Sequence, residues 1–125
     1  MDENRARQLV ALERSRVEGL LAEQVGLIRG DGPLANQQTG ENHEAGNVLE
    51  SEATAVALVA DLREQLAAVG RAEGRIALGT YGRSVVDGTS IPDDRLEAEP
   101  LAERTVEQQR EHETQLNANR TLPAG

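Results

Sequence analysis

The sequence has no cysteine, tryptophan or phenylalanine, and a single tyrosine, Tyr81. Without cysteine there are no disulfides and no thiolate metal ligands, and the count says nothing about compartment. With one aromatic ring in 125 residues, a compact core resting on ring area is excluded, because buried rings normally remove the largest apolar surfaces from water. An elongated chain is expected instead. Lysine is missing too, so all 13 basic residues are arginine, and against 22 acidic residues they leave a formal net charge of −9. That balance argues against direct DNA binding, which needs a basic face for phosphates, and against anionic membrane surfaces. No apolar run is long enough to span a bilayer, and the opening MDENRARQL lacks a basic stretch followed by an apolar one. A cytoplasmic location is the default expectation.

Among what is present, helix formers dominate. From Asp2 to Ile28, Leu9, Val10, Leu12, Val17, Leu20, Leu21, Val25, Leu27 and Ile28 recur at threes and fours, which predicts one amphipathic helix. Residues 29–47, RGDGPLANQQTGENHEAGN, have loop chemistry, and Asn47 with Glu50 offers a capping box for the next helix, with a start near Asn42 as an alternative. That helix is expected to run to Gly70 or Gly74, with Val48, Glu52, Ala55, Val59, Leu62, Leu66 and Val69 as a heptad seam. Two such helices can bury their stripes only on each other, so the expectation is an antiparallel coiled-coil hairpin. From Asp31 to Gly70 seven acidic residues face one arginine, Arg63, which makes the loop end acidic. Beyond Gly74, Val85, Val86, Asp87-Gly88 and Ile91 predict a tiny β-hairpin with an Asp-Gly turn. Pro100 predicts the opening of a last helix running from Leu101 to about Asn117.

Residues 75–109, RIALGTYGRSVVDGTSIPDDRLEAEPLAERTVEQQ, resemble the signature of the DksA/TraR family of bacterial transcription regulators, R-I-x-x-G-T-Y-G-x-C-x-x-C-G-x-x-I-x-x-x-R-L-E-A-x-P-x-A-x-x-C-x-x-C. Arg75, Ile76, Gly79, Thr80, Tyr81, Gly82, Gly88, Ile91, Arg95, Leu96, Glu97, Ala98, Pro100 and Ala102 align without a gap. The four zinc-ligand positions are occupied by Ser84, Asp87, Thr105 and Gln108. Tetrahedral zinc takes thiolates or imidazoles at such places, so neither a metal nor any other cofactor is expected, and these four read as polar loop positions. The head would then fold by packing Ile76, Leu78, Tyr81, Val85, Val86, Ile91, Leu96, Leu101 and Val106, a small core and so the less stable half of the protein.

The resemblance implies that the loop joining the two helices enters the secondary channel of RNA polymerase, with acids acting near the catalytic magnesium. The matching segment is Glu41-Asn42-His43-Glu44-Ala45-Gly46, which makes Glu41 and Glu44 the acting residues. Two places where relatives hold the alarmone ppGpp with basic side chains are Glu99 and Gln109 here; Glu99 would repel a phosphate, which counts against ppGpp dependence. The expected fold is mainly α: a hairpin over residues 1–73 with an acidic tip around 30–47, a degenerate zinc-finger-like head with a C-terminal helix over 74–118, and a flexible tail at 119–125. The expected function is regulation of initiation by a monomer that binds RNA polymerase and makes or breaks no bond. The alternative is a structural or adaptor coiled coil that kept the scaffold and binds another protein.

Overall fold

The computed structural model describes residues 1–29 and 45–121, with side chains at 1–28 and 53–120. It contains four helices, α1 (Glu3–Arg29), α2 (Ala45–Leu78), α3 (Asp93–Ala98) and α4 (Val106–Thr121). The chain is thus mainly helical, and among the described residues no strand forms. By internal packing it divides into two units, Met1–Leu9 with Ala72–Gly125, and Val10–Arg71. The first is called the terminal unit here and the second the helix-pair unit.

In the helix-pair unit α1 buries Val10 and Val17, and α2 buries Ala55, Val59, Leu62 and Val69. The α2 set follows the predicted seam from Ala55 onward, with Leu66 half-buried; the seam positions Val48 and Glu52 lie outside the described side chains. Arg16 Nη2 on α1 donates to Gln65 Oε1 on α2 at 3.2 Å, and Gln65 Nε2 donates to Asp61 Oδ2 at 2.8 Å. The α1 stripe is narrower than expected. Leu12 is 62 % exposed, and Leu20, Leu27 and Ile28 lie at the exposed margin. One facing helix covers only about two positions per heptad, and Leu12 stands about 200° around the helix from Val10. Glu13 lies nearer the covered side, its side chain 20 % exposed and paired with Arg16.

Two boundaries differ from expectation. α2 already includes Asn47, which therefore does not cap it, and it runs through Gly70 and Gly74 to Leu78. Each glycine costs about 1 kcal/mol against alanine inside a helix, but Val69, Ala72 and Ile76 are buried on the same run and hold it. α2 stops at Gly79, whose φ of +76° is left-handed. There Thr80 N donates to Arg75 O at 2.9 Å and Gly79 N to Ile76 O at 3.1 Å, the paired bonds of a Schellman cap. GTYG is therefore a helix stop that turns the chain.

The last helix begins at Val106 rather than Leu101. Pro100 instead sits second in a turn closed by Ala102 N donating to Glu99 O at 3.0 Å, a place its fixed φ suits. The short helix α3, absent from the expectation, occupies Asp93–Ala98 after Pro92. The predicted β-hairpin reduces to one antiparallel bridge, Arg83 with Ser90. That bridge is made by Ile91 N donating to Gly82 O at 2.7 Å and Ser84 N donating to Thr89 O at 2.8 Å, whereas Val85 N leaves the hairpin for Glu103 O at 2.9 Å.

The apolar core of the terminal unit is also smaller than predicted. Ile76, Ile91 and Leu96 are buried, together with Ala6, Leu9 and Ala72. Leu78, Val85 and Val86 are 50 % or more exposed, and Val106 is 37 % exposed. Leu78 lies at the end of α2, where the Schellman turn carries the chain away. Val85 and Val86 occupy a tight turn that no neighbouring element covers.

Candidate functional site

The terminal unit is held largely by polar side chains that pin residues 99–105. Arg75 Nη1 pairs with Glu103 Oε2 at 3.1 Å, with both side chains mostly buried. Tyr81 donates its hydroxyl to Pro100 O at 2.8 Å, and Arg95 Nε donates to Arg104 O at 2.9 Å. Burial raises the Tyr81 phenol above its ordinary range, so it stays a donor. Gly82, with φ +84°, lies where a Cβ would sit 3.4 Å from Leu96 Cδ1, so the turn packs closely on the most buried leucine. Glu97 takes a two-pronged contact from Arg5 of α1, Nε to Oε1 at 2.9 Å and Nη2 to Oε2 at 2.6 Å. This pair holds the Glu97 carboxyl below the usual carboxylate range, the hydrogen bond from Arg5 outweighing desolvation.

Within this frame Ser84, Asp87, Thr105 and Gln108 come together. Gln108 N donates to Thr105 Oγ1 at 3.2 Å, and Thr105 N donates to Gln108 Oε1 at 3.1 Å. That is a reciprocal capping box on α4, and it explains why the helix starts at Val106. The same Gln108 oxygen accepts the Ser84 hydroxyl at 2.5 Å, and Ser84 Oγ in turn accepts Val86 N at 3.1 Å. Ser84 is 5 % exposed, so its hydroxyl needs both partners. Asp87 Oδ1 accepts Thr89 N at 2.9 Å. That backbone bond, followed by contributions from the Thr89, Gln108 and Ser84 side chains, holds the Asp87 carboxyl below its ordinary range.

Ser84, Thr105 and Gln108 are therefore one hydrogen-bonded cluster joining the 84–89 turn to the start of α4, with the Asp87 carboxylate beside it; Gln108 lies within α4 and not in a loop. The signal was legible: Thr105-Val106-Glu107-Gln108 fits the S/T-x-x-E/Q box. Chemically the cluster is a staple of neutral amide and hydroxyl groups with one carboxylate beside it. Among the described residues no three His, Cys, Asp or Glu side chains gather as a metal-ligand set.

Glu41 and Glu44 lie outside the described residues. Glu99 pairs with Arg95 at 3.4 Å, and Gln109 Nε2 donates to Glu113 Oε1 at 3.1 Å on α4. No helix among the described residues is long and apolar enough to cross a membrane. Comparisons with family models, curated proteins and solved structures return no match for the chain.

Proposed function

We propose that this chain is a transcription regulator of the DksA/TraR kind, one that enters the secondary channel of bacterial RNA polymerase and carries hydrogen bonds where relatives carry zinc. The observation that carries this reading is the meeting of Ser84, Asp87, Thr105 and Gln108. The resemblance makes these the ligand places, and Ser84 and Gln108 stand 24 positions apart in the chain. Their convergence is what a zinc-finger-like head requires. The motif residues around them also have folding roles that fit a shared scaffold: Gly79 stops α2, Tyr81 and Arg95 hold the 100–104 segment, and Gly82 seats Leu96.

In this reading α1 and α2 are the arms of an antiparallel coiled-coil hairpin, a geometry in keeping with the Arg16–Gln65 contact and the seam at Ala55, Val59, Leu62 and Val69. Glu41 and Glu44 belong to the stretch of sequence between them. Carboxylates brought beside a site holding a divalent cation share that metal or alter its field, and such effects are strong where water is scarce. The protein breaks no bond; it changes the lifetime of polymerase–promoter complexes. Capture of purified bacterial core RNA polymerase by the full chain tests the reading. Binding is expected to survive E41A/E44A while the effect on promoter-complex lifetime is lost, and E41D/E44D is expected to keep that effect. Absence of polymerase binding by the parent chain overturns the proposal.

A second reading, an adaptor coiled coil, is favoured by the exposure of Leu12, Val56 and Leu58 in the helix-pair unit, each 42 % or more. Failure of the parent chain to bind polymerase, together with self-association or capture of a different protein, points to that role.

A further inference from the structure

We infer that the cleft between α3 and the start of α4 is a docking groove for a cationic side chain with an aliphatic stem, an arginine or lysine of a basic peptide segment on a partner protein. The cleft has a volume of about 450 Å³, and Pro92, Ala98 and Val106 form its apolar walls. Asp94, Glu99 and Glu107 also line it. The one cation in the lining, Arg95, is already engaged: its Nε donates to Arg104 O at 2.9 Å and its Nη1 lies 3.4 Å from Glu99.

Those walls discriminate among ligands. An apolar floor with acids around it suits a side chain that buries methylene groups and leaves its charge at the edge, the habit of arginine and lysine. A small inorganic cation gains nothing from the floor. An anion would be drawn only by the N-terminus of α4. There the capping box already satisfies the Gln108 N–H, and Glu107 occupies the first turn. With Glu99 paired to Arg95, Asp94 and Glu107 leave the cleft net negative, and the field selects a positive guest. The chain's net charge of −9 favours the approach of such a partner, and the groove says where its side chain would settle.

The test is a titration of the isotope-labelled full chain with an acetylated, amidated Gly-Arg-Gly-Arg-Gly peptide at low ionic strength, followed by amide NMR. Shifts are expected at Ser90, Ala98 and Val106. The variant D94N/E99Q/E107Q is expected to bind roughly tenfold more weakly. The control E64Q/E111Q/E113Q, with the same change in charge but no residue in the cleft, is expected to lose about twofold or less. Should the triple cleft variant lose helix content, E107Q alone replaces it, with a roughly two- to threefold loss expected. Equal losses in cleft and control variants mean diffuse attraction and overturn the proposal. So do peptide shifts spread over the whole chain, or pyrophosphate moving the cleft amides in place of the peptide.

Discussion

The helix-pair unit and the terminal unit bury similar sets of small aliphatic side chains, yet different physics specifies them. Between Val10 and Arg71 the buried residues are Val10, Val17, Ala55, Val59, Leu62 and Val69, on regular helices, and the Arg16–Gln65 hydrogen bond between those helices is exposed. In the terminal unit the aliphatic set of Ala6, Leu9, Ala72, Ile76, Ile91 and Leu96 is scattered over α1, α2, a loop and α3. What joins α2, α3, α4 and the segments between them is a series of part-buried polar contacts at Arg75, Tyr81, Ser84, Arg95, Thr105 and Gln108, while α1 is tied to α3 by the exposed Arg5–Glu97 pair. Apolar burial is non-directional and tolerates exchanges of similar volume. A part-buried hydrogen bond depends on angle and distance, and losing one partner leaves the other to carry a desolvation cost. The two units should therefore respond differently to the same kind of mutation.

The largest effect is expected at Leu96. It is fully buried and packs against Gly82, so Leu96→Ala should cost about 2–5 kcal/mol. The loss should register as earlier hydrogen exchange in residues 75–109. Leu62→Ala, on the α2 seam and 6 % exposed, should cost a similar amount but open the helix pair first. A single cooperative melt in which both variants accelerate exchange everywhere would erase the distinction between the units.

A smaller change sharpens the comparison. Gln108→Ala removes the acceptor shared by Ser84 and Thr105 and should cost about 1–3 kcal/mol, despite deleting little apolar surface. Exchanging Leu62 for Met in the helix pair should cost under about 1.5 kcal/mol. If Leu62→Met proves the more damaging of the two in urea unfolding, polar contacts do not hold the terminal unit.

The smallest effect concerns acid. Glu97 and Asp87 are both held below their ordinary values in the folded chain. A depressed carboxylate contributes stability above its unfolded pKa and loses it as pH falls through the folded value. For Glu97 the ordinary value is 4.5, so the melting temperature should be level near neutrality and decline as pH falls below it. Both groups are exposed, so the decline should be modest and salt-sensitive. Glu97→Gln should flatten part of it. A melting temperature that rises on acidification from neutrality to pH 4 would contradict this assignment.

The same contrast explains what could be read in advance. α1 and α2 follow from apolar residues at threes and fours, a signal repeated over many turns. Its errors were of width and length: Leu12 was included although a two-helix seam is narrow, and α2 was cut at Gly70 or Gly74 although buried neighbours carry it onward. In the terminal unit each decision rests on one or two residues. Pro100 is equally suited to begin a helix or to occupy a turn, and the turn prevailed because Thr105 and Gln108 cap α4 further on. Val85 and Val86 suggested a strand by composition, but the backbone of Val85 bonds to Glu103, a partner 18 residues away that no local pattern announces. The Thr105–Gln108 half of the cluster was legible as an S/T-x-x-E/Q box, but its meeting with Ser84 and Asp87 was legible only as positions in a resemblance, because no local spacing rule joins residues so far apart.

The Arg5–Glu97 contact also sets a schedule for the newborn chain. Its two ends are 92 residues apart. At a synthesis rate of about 5–20 residues per second, Arg5 leaves the ribosome roughly 5–18 s before Glu97 follows. During that interval Arg5, on the same helix as Ala6 and Leu9, which are buried in the folded protein, has no Glu97 to pair with. The terminal unit can close only once residue 97 has emerged, whereas α1 forms within microseconds of its own release. The first nine residues thus wait longest for their place, and a nascent chain stalled before residue 97 carries an unlatched N-terminus.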